Sequence, residues 1–303
     1  MRRMISERGA VAITVALLMV SLVGFTAIAV DVGALWMDRK ELQNGADAAA
    51  LALAQSCAEG ACEADEPGMA SSYATGNKRD DNVTVTGITH GSSSVTVDVA
   101  SERNHWFAPI IGHDSLEVTA SATASWGGIG AGLVSPFTVS ICHLADVTGG
   151  TSVKMIIKGD KVDCVAGNPP HTVPGGMNWL DTAGSADCTV MTSVDGWAPG
   201  NAGNDGPNNS NCNSLLTNMV GEEILIPLFD EAKGTGGGSY HIVGFAVLLV
   251  SDYCLNKGFG WYGGADKCTG AERSVTGTFV KRVNLASEVG GPNYGATAVQ
   301  LTQ

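Results

Sequence analysis

Thiols are the side chains of this chain best equipped for covalent chemistry, and eight of them stand at Cys57, Cys62, Cys142, Cys164, Cys188, Cys212, Cys254 and Cys268. An even set allows two chemistries, oxidation to disulfides or thiolate coordination of zinc. Zinc needs four tetrahedral donors, usually from C-x-x-C pairs or Cys/His clusters. Here the closest cysteines are Cys57 and Cys62, and the histidines (His90, His105, His113, His143, His171 and His241) are scattered. Cys142 beside His143 supplies two donors at most. Disulfides are therefore expected at all eight positions. Spacing leaves the connectivity open, and the simplest pattern is local: 57 with 62, 142 with 164, 188 with 212, 254 with 268.

Other reactive patterns are weaker. Asp195 to Asn213 concentrates Asp and Asn around glycines, a supply of hard oxygens suited to calcium. An EF-hand register starting at Asn201 fails, because its third position is Gly203 and its twelfth is Cys212. Asn and Asp are also ordinary turn residues. Trp179, Trp197 and Trp261 could stack on surface glycans or fill a core. The run Gly234 to Ser239 has no P-loop lysine and precedes a strand, so it reads as a hairpin loop. G-x-S-x-G and H-E-x-x-H are absent. No catalytic residue, metal site or cofactor is assigned, and a non-enzymatic protein is expected.

The elements that carry these residues begin with a run of 22 uncharged residues, Gly9 to Val30. At about 1.5 Å per residue it is long enough to cross a bilayer core of about 30 Å. Its polar groups, Thr14, Ser21 and Thr26, can bond their own helix backbone. Arg2, Arg3 and Arg8 precede the run and Asp31 follows it, so the positive-inside bias places residues 1–8 in the cytoplasm and everything after Val30 outside. A secretory signal is the rival reading, since Ala27-Ile28-Ala29 has the small-x-small form of a cleavage site; the run exceeds the usual apolar length of such signals, which favours a retained anchor. Either way the remainder is exported, which agrees with disulfides.

Beyond Asp31 a 3,4 spacing of apolar residues, Val32, Leu35, Leu42, Ala46, Ala49 and Leu53, marks one helix face. The span is expected to continue outward through residues 31–56 as a stalk, one helix of about 48 residues or about 72 Å, with Asn44-Gly45 its weak spot. The stripe needs a covering surface, either the protein's own ectodomain or neighbouring helices of an assembly.

Residues 57–126 read as a small α+β module. Val83, Val85 and Ile88, then Val95, Val97 and Val99, then Leu116, Val118, Ala120, Ala122 and Ala124 follow strand alternation. His105 to Ile111 reads as a short helix or turn with an aromatic anchor, giving the order strand, strand, helix, strand. Gly127, Gly128, Gly130 and Gly132 suggest a linker over 127–132. A distal β-rich domain is expected over 133–290, with strands at 153–158, 223–228, 240–250 and 275–283, followed by a tail at 291–303. The overall class is α+β. Net charge is −13; residues 1–56 are balanced, five bases against five acids, so the acidity lies downstream and excludes nucleic acid as a partner.

The stretches Glu7 to Ala12, Ala29 to Trp36 and Arg39 to Ala52 together resemble the TadE/TadG-like Flp pilus-assembly family of the tight-adherence machinery. The resemblance is tight over about residues 7 to 54 and looser at Pro174 to Asp181, Ile226 to Asp230 and His241 to Ala246. It implies a bitopic structural protein of a type IV-like pilus system, with pilin or pilus-assembly subunits as partners. Pilin-like relatives carry Glu five residues after the cleavage-site Gly, where this chain has Thr14, so an unprocessed anchor is expected. The Asp-x-Ser-x-Ser motif of larger relatives is missing. The alternative function is an exported carbohydrate- or calcium-binding surface module.

Overall fold

The computed structural model describes residues 8–302 apart from 61, 144–151, 157–162, 167–168, 184, 186, 202–211, 213–214, 217, 235–237, 256–272 and 285–286. Its contacts divide into two compact units. The first comprises the described chain up to Leu53, Glu63–Ala124 and the chain end from Leu301; the second comprises Ala54–Cys62 and Ser125–Gln300.

Helix α1 (Arg8–Ala58) is continuous, running as expected from the uncharged run into the stalk and passing through Asn44-Gly45 without a break. Helix α2 (Glu66–Gly76), which strand alternation did not reveal, starts at the N-cap Asp65, whose side chain accepts from Gly68 N, with a proline in the first turn. Strands β1 (Thr84–His90) and β2 (Ser94–Asn104) form an antiparallel hairpin, and β2 neighbours β3 (Ser115–Val134). The uneven step from Val85 to Ile88 is a bulge between Val85 and Gly87. Val95, Val97, Val99, Val118, Ala122 and Ala124 are buried as the alternation requires, whereas Leu116 is exposed. The expected short helix is a 3-10 turn at Ala108–Ile111.

Strand β3 contributes residues up to Ala124 to the first unit and the rest to the second. The glycines at 127, 128, 130 and 132, expected to form a linker, instead lie within this strand. A Cβ on Gly128 would run into the carbonyls of Gly291 and Pro292, and one on Gly130 would stand 3.1 Å from Gly290 Cα. Lack of side chains there permits a close backbone approach rather than breaking the strand.

Among the described residues the further strands are β4 (Phe137–Ser140), β5 (Ser152–Ile156), β6 (Cys164–Ala166), β7 (His171–Val173), β8 (Met177–Trp179), β9 (Val190–Ser193), β10 (Trp197–Pro199), β11 (Glu223–Lys233), β12 (Ser239–Cys254), β13 (Ser274–Val280), β14 (Arg282–Asn284), β15 (Glu288–Gly291) and β16 (Ala296–Thr302), all in the second unit except the end of β16 from Leu301. The principal sheet of the second unit has the order β5-β13-β12-β11-β4-β8, antiparallel except for β4 beside β11. Successive β11 residues feed opposite faces: Ile226 and Leu228 enter a core with Phe137, Trp179 and Leu248, while Leu225 and Phe229 enter another with Ile242, Phe245 and Val247. Burial on both faces explains why Ile224 to Phe229 reads as an apolar run rather than an alternation. The expected tail, 291–303, is largely strand β16, because Ala296, Ala298 and Val299 are buried.

Candidate functional site

Along α1 the apolar side chains from Val11 to Val30 are exposed, and none of the most apolar stretch is covered by the rest of the described chain. It is the single helix among the described residues that is long and apolar enough to cross a membrane. Ser21 and Thr26 donate to the carbonyls of Leu17 and Leu22 at 3.3 and 2.8 Å, so they satisfy themselves within the helix.

Asp31, the first charged residue after the run, is buried although it begins the polar half of the helix. One carboxylate oxygen accepts from Trp106 N at 2.9 Å and the other from Phe107 N and Ala108 N at 3.1 and 2.9 Å. Burial pushes this carboxyl's pKa up, but the three backbone donors, helped by the nearby His105, outweigh it and hold the pKa below the usual aspartate value. The carboxylate thus fastens the loop between β2 and β3 to the helix. The sequence marks both partners, a lone acid ending an uncharged run and an aromatic-proline turn, but gives no sign that they meet.

Two turns further, Asp38 of α1 meets Lys78, whose Nζ donates to Asp38 Oδ1 and Asp80 Oδ1, both at 2.6 Å. Arg79 Nε pairs with Glu41 at 3.1 Å. Helix α1 is therefore bound by charge to the segment that follows α2.

Below this clamp the predicted stripe divides. Leu42, Ala46, Ala49 and Leu53 are fully buried within the protein, Leu35 is half-buried, and Val32 is 58 % exposed. Gln43 Nε2 donates to Ser121 O of β3 at 3.0 Å, and a Cβ on Gly45 would stand 2.8 Å from Ala74 O of α2. Of the two surfaces expected for the stripe, the protein's own chain covers Leu42, Ala49 and Leu53, whereas Val32 and most apolar side chains from Val11 to Val30 stay uncovered.

The cysteines are joined as Cys57–Cys62, Cys142–Cys164 and Cys188–Cys212, the local pairs that spacing suggests. Cys254 is also disulfide-bonded, and Cys268 lies outside the described residues. The candidate calcium loop lies mostly outside them too, as does Trp261.

Trp179 is a core residue, 4.5 Å from the Phe137 ring. Trp197 is partly exposed, but Lys233 Nζ sits 3.8 Å over its ring and the His241 ring lies 5.3 Å away. His241 Nδ1 in turn bonds Asp230 Oδ1 at 2.7 Å, while His171 Nε2 bonds Asp230 O at 2.9 Å. Such a His-carboxylate pair can act as a general base only if it reaches a nucleophile. Among the described residues no hydroxyl or thiol is hydrogen-bonded to His241, and the group reads as a polar pillar tying β7, β11 and β12 together.

Residues 9–56 match the model of the Tad family, Flp pilus-assembly TadE/G-like. The match falls on α1 and ends just before Cys57, so the resemblance carried by the motifs is found again on the same helix. Neither a curated protein nor a solved structure matches the chain.

Proposed function

We propose that this protein is a single-pass, membrane-anchored structural component of a Tad-type pilus system that displays the chain beyond Val30 outside the membrane. The observation that carries this reading is the coincidence, on one helix, of the TadE/G-like match at residues 9–56 with a bare apolar surface that nothing in the described chain covers. Arg2, Arg3 and Arg8 orient residues 1–8 toward the cytoplasm. Oxidised cysteines downstream suit an exported remainder. Association with pilin or other assembly subunits then runs through the open part of α1, from the span to Val32 and Leu35, and the acidic exported units face pilus or surface partners. The role is assembly rather than catalysis.

Of the tryptophans considered for the alternative of a glycan-binding module, Trp179 is buried and the Trp197 ring is engaged by Lys233 and His241, while the candidate calcium loop lies mostly outside the described residues. The test is genetic. A strain lacking the gene is expected to lose pili and surface attachment, restored by the full chain but not by a version whose residues 1–30 are replaced with a cleaved secretory signal. Unaltered pili and attachment in the deletion strain would sink the reading. Intact mass of the membrane-bound chain checks the anchor separately, because a start at Val30 would mean cleavage after Ala29.

A further inference from the structure

The loop fastened by Asp31 exposes its apolar side chains toward the membrane span. Trp106 is 71 % exposed, Phe107 40 % and Ile110 85 %. Phe107, Ala108 and Ile110 form one wall of a groove whose other wall is Gly24, Ala27, Ile28, Val32 and Leu35 of α1. Three of those helix residues belong to the uncharged run that ends at Val30. A run of 22 residues only just exceeds a bilayer core of about 30 Å, so Gly24, Ala27 and Ile28 cannot lie outside the membrane without leaving apolar side chains in water and drawing Glu7 and Arg8 into the core. Whatever stands beside them stands at the same depth.

Backbone is admitted to that depth only when its polar groups are bonded internally. Here they are. Trp106, Phe107 and Ala108 donate to Asp31, and residue 109 is a proline without an N–H. Ile110 N bonds Phe107 O at 3.2 Å, Gly112 N bonds Pro109 O at 3.1 Å, and His113 N bonds Ala108 O at 3.2 Å. His105 N to Asp114 O, 3.0 Å, closes the neck, so the polar residues sit at the base and the apolar ones at the tip. The same bonds neutralise the cost of an aspartate at the end of the span, because its carboxylate is already satisfied where water thins out.

From this geometry we propose that the loop 105–111 is a second membrane contact, a non-spanning finger whose Trp106, Phe107 and Ile110 side chains lie among the lipids of the leaflet through which α1 leaves, with Asp31 as the clasp that sets its depth. Tryptophan is the side chain best suited to that interface. Two contacts fix the tilt and rotation of α1, which one helix leaves free.

The proposal rests on α1 spanning a bilayer, and the experiment separates the two. The full chain is reconstituted in phosphatidylcholine/phosphatidylglycerol vesicles with brominated acyl chains, and the emission of Trp106→Phe is subtracted from that of the native protein to isolate one tryptophan. The expected difference spectrum is blue-shifted and quenched by bromine, and in Asp31→Asn, still resistant to alkaline extraction, quenching of Trp106 by the same subtraction is lost. Release by alkaline extraction of the native protein would overturn the span and the finger together; retention with an unquenched, water-like Trp106 would overturn the finger alone, and undiminished quenching in Asp31→Asn would overturn the clasp. A benzophenone side chain in place of Ile110, photolysed in native membranes, is expected to yield lipid adducts. Adducts to a second copy or to another protein would show that a protein, not lipid, occupies the groove and would reject the proposal.

Discussion

Lys78 illustrates how a single side chain decides the packing of the first unit. Its side chain is 1 % exposed, and only the paired carboxylates of Asp38 and Asp80 make that burial tolerable. Burial pushes the Lys78 pKa down, but the hydrogen bonds it donates to Asp38 and Asp80 push it further up, above 10.5. The Lys78 hydrogen bond likewise holds Asp80 below 3.8 against the opposing effect of burial. A depressed carboxylate stabilises the fold above its unfolded pKa and loses that contribution as pH falls through its folded value; a raised lysine stabilises below its unfolded pKa and loses it as pH climbs past its folded value. The stability of the first unit should therefore be level from about pH 5 to about pH 10 and decline on both sides. Thermal unfolding followed by hydrogen exchange of peptides from residues 84–104 checks this. Lys78→Met strands the buried Asp38, and a loss of about 3–5 kcal/mol is expected in the same peptides, largely recovered when Asp38→Leu is added. A single-mutant loss below about 1 kcal/mol would mean that water already reaches the pair.

At the scale of elements, α1 does two jobs with one helical geometry, because its upper part is bare and its lower part is packed. Gly45 marks the difference. As an Asn-Gly step it looks like a weak point in the helix, yet α2 comes so close that a Cβ there would press on the Ala74 carbonyl. Gly33, by contrast, faces open space. Glycine to alanine should stabilise the helix by up to about 1 kcal/mol at position 33 and destabilise the first unit by about 1–3 kcal/mol at position 45. Opposite signs in denaturant midpoints are the readout; stabilisation at both sites would mean that α2 does not hold its place. The glycines of β3 follow the same logic, since what they allow is contact.

Across the whole molecule the covalent constraints are unevenly shared. The disulfides formed by Cys57–Cys62, Cys142–Cys164 and Cys188–Cys212 all fall in the second unit. Cys188 and Cys212 are wholly buried in its core, 24 residues apart. Removing that link by Cys188→Ala with Cys212→Ala should cost the second unit about 3 kcal/mol in the loop-entropy description, while the first unit keeps its stability. Limited proteolysis with mass mapping distinguishes them: fragments from residues 223–254 should appear at lower temperature in the variant, and fragments from 84–104 at the same temperature as before. Equal sensitivity of both would show that the disulfide supports the entire chain.

Local chemistry was readable without coordinates. The uncharged run, the 3,4 stripe and the alternation at Val95, Val97 and Val99 are periodicities, and a periodicity is a property of neighbours along the chain. The Cys57–Cys62, Cys142–Cys164 and Cys188–Cys212 pairs also needed only short separations. What depends on residues far apart was hidden. Asp31 and the 106–108 backbone are more than seventy positions apart, and Asp38 and Lys78 are forty apart. Helix α2 was masked because its small residues carry almost no amphipathic signal, and the glycines of β3 look like a linker until β15 lies against them. Whether Leu42, Ala49 and Leu53 meet the same chain or another one depends on the surface that reaches them. Periodicity specifies that a face must be covered, and only the tertiary structure decides by what.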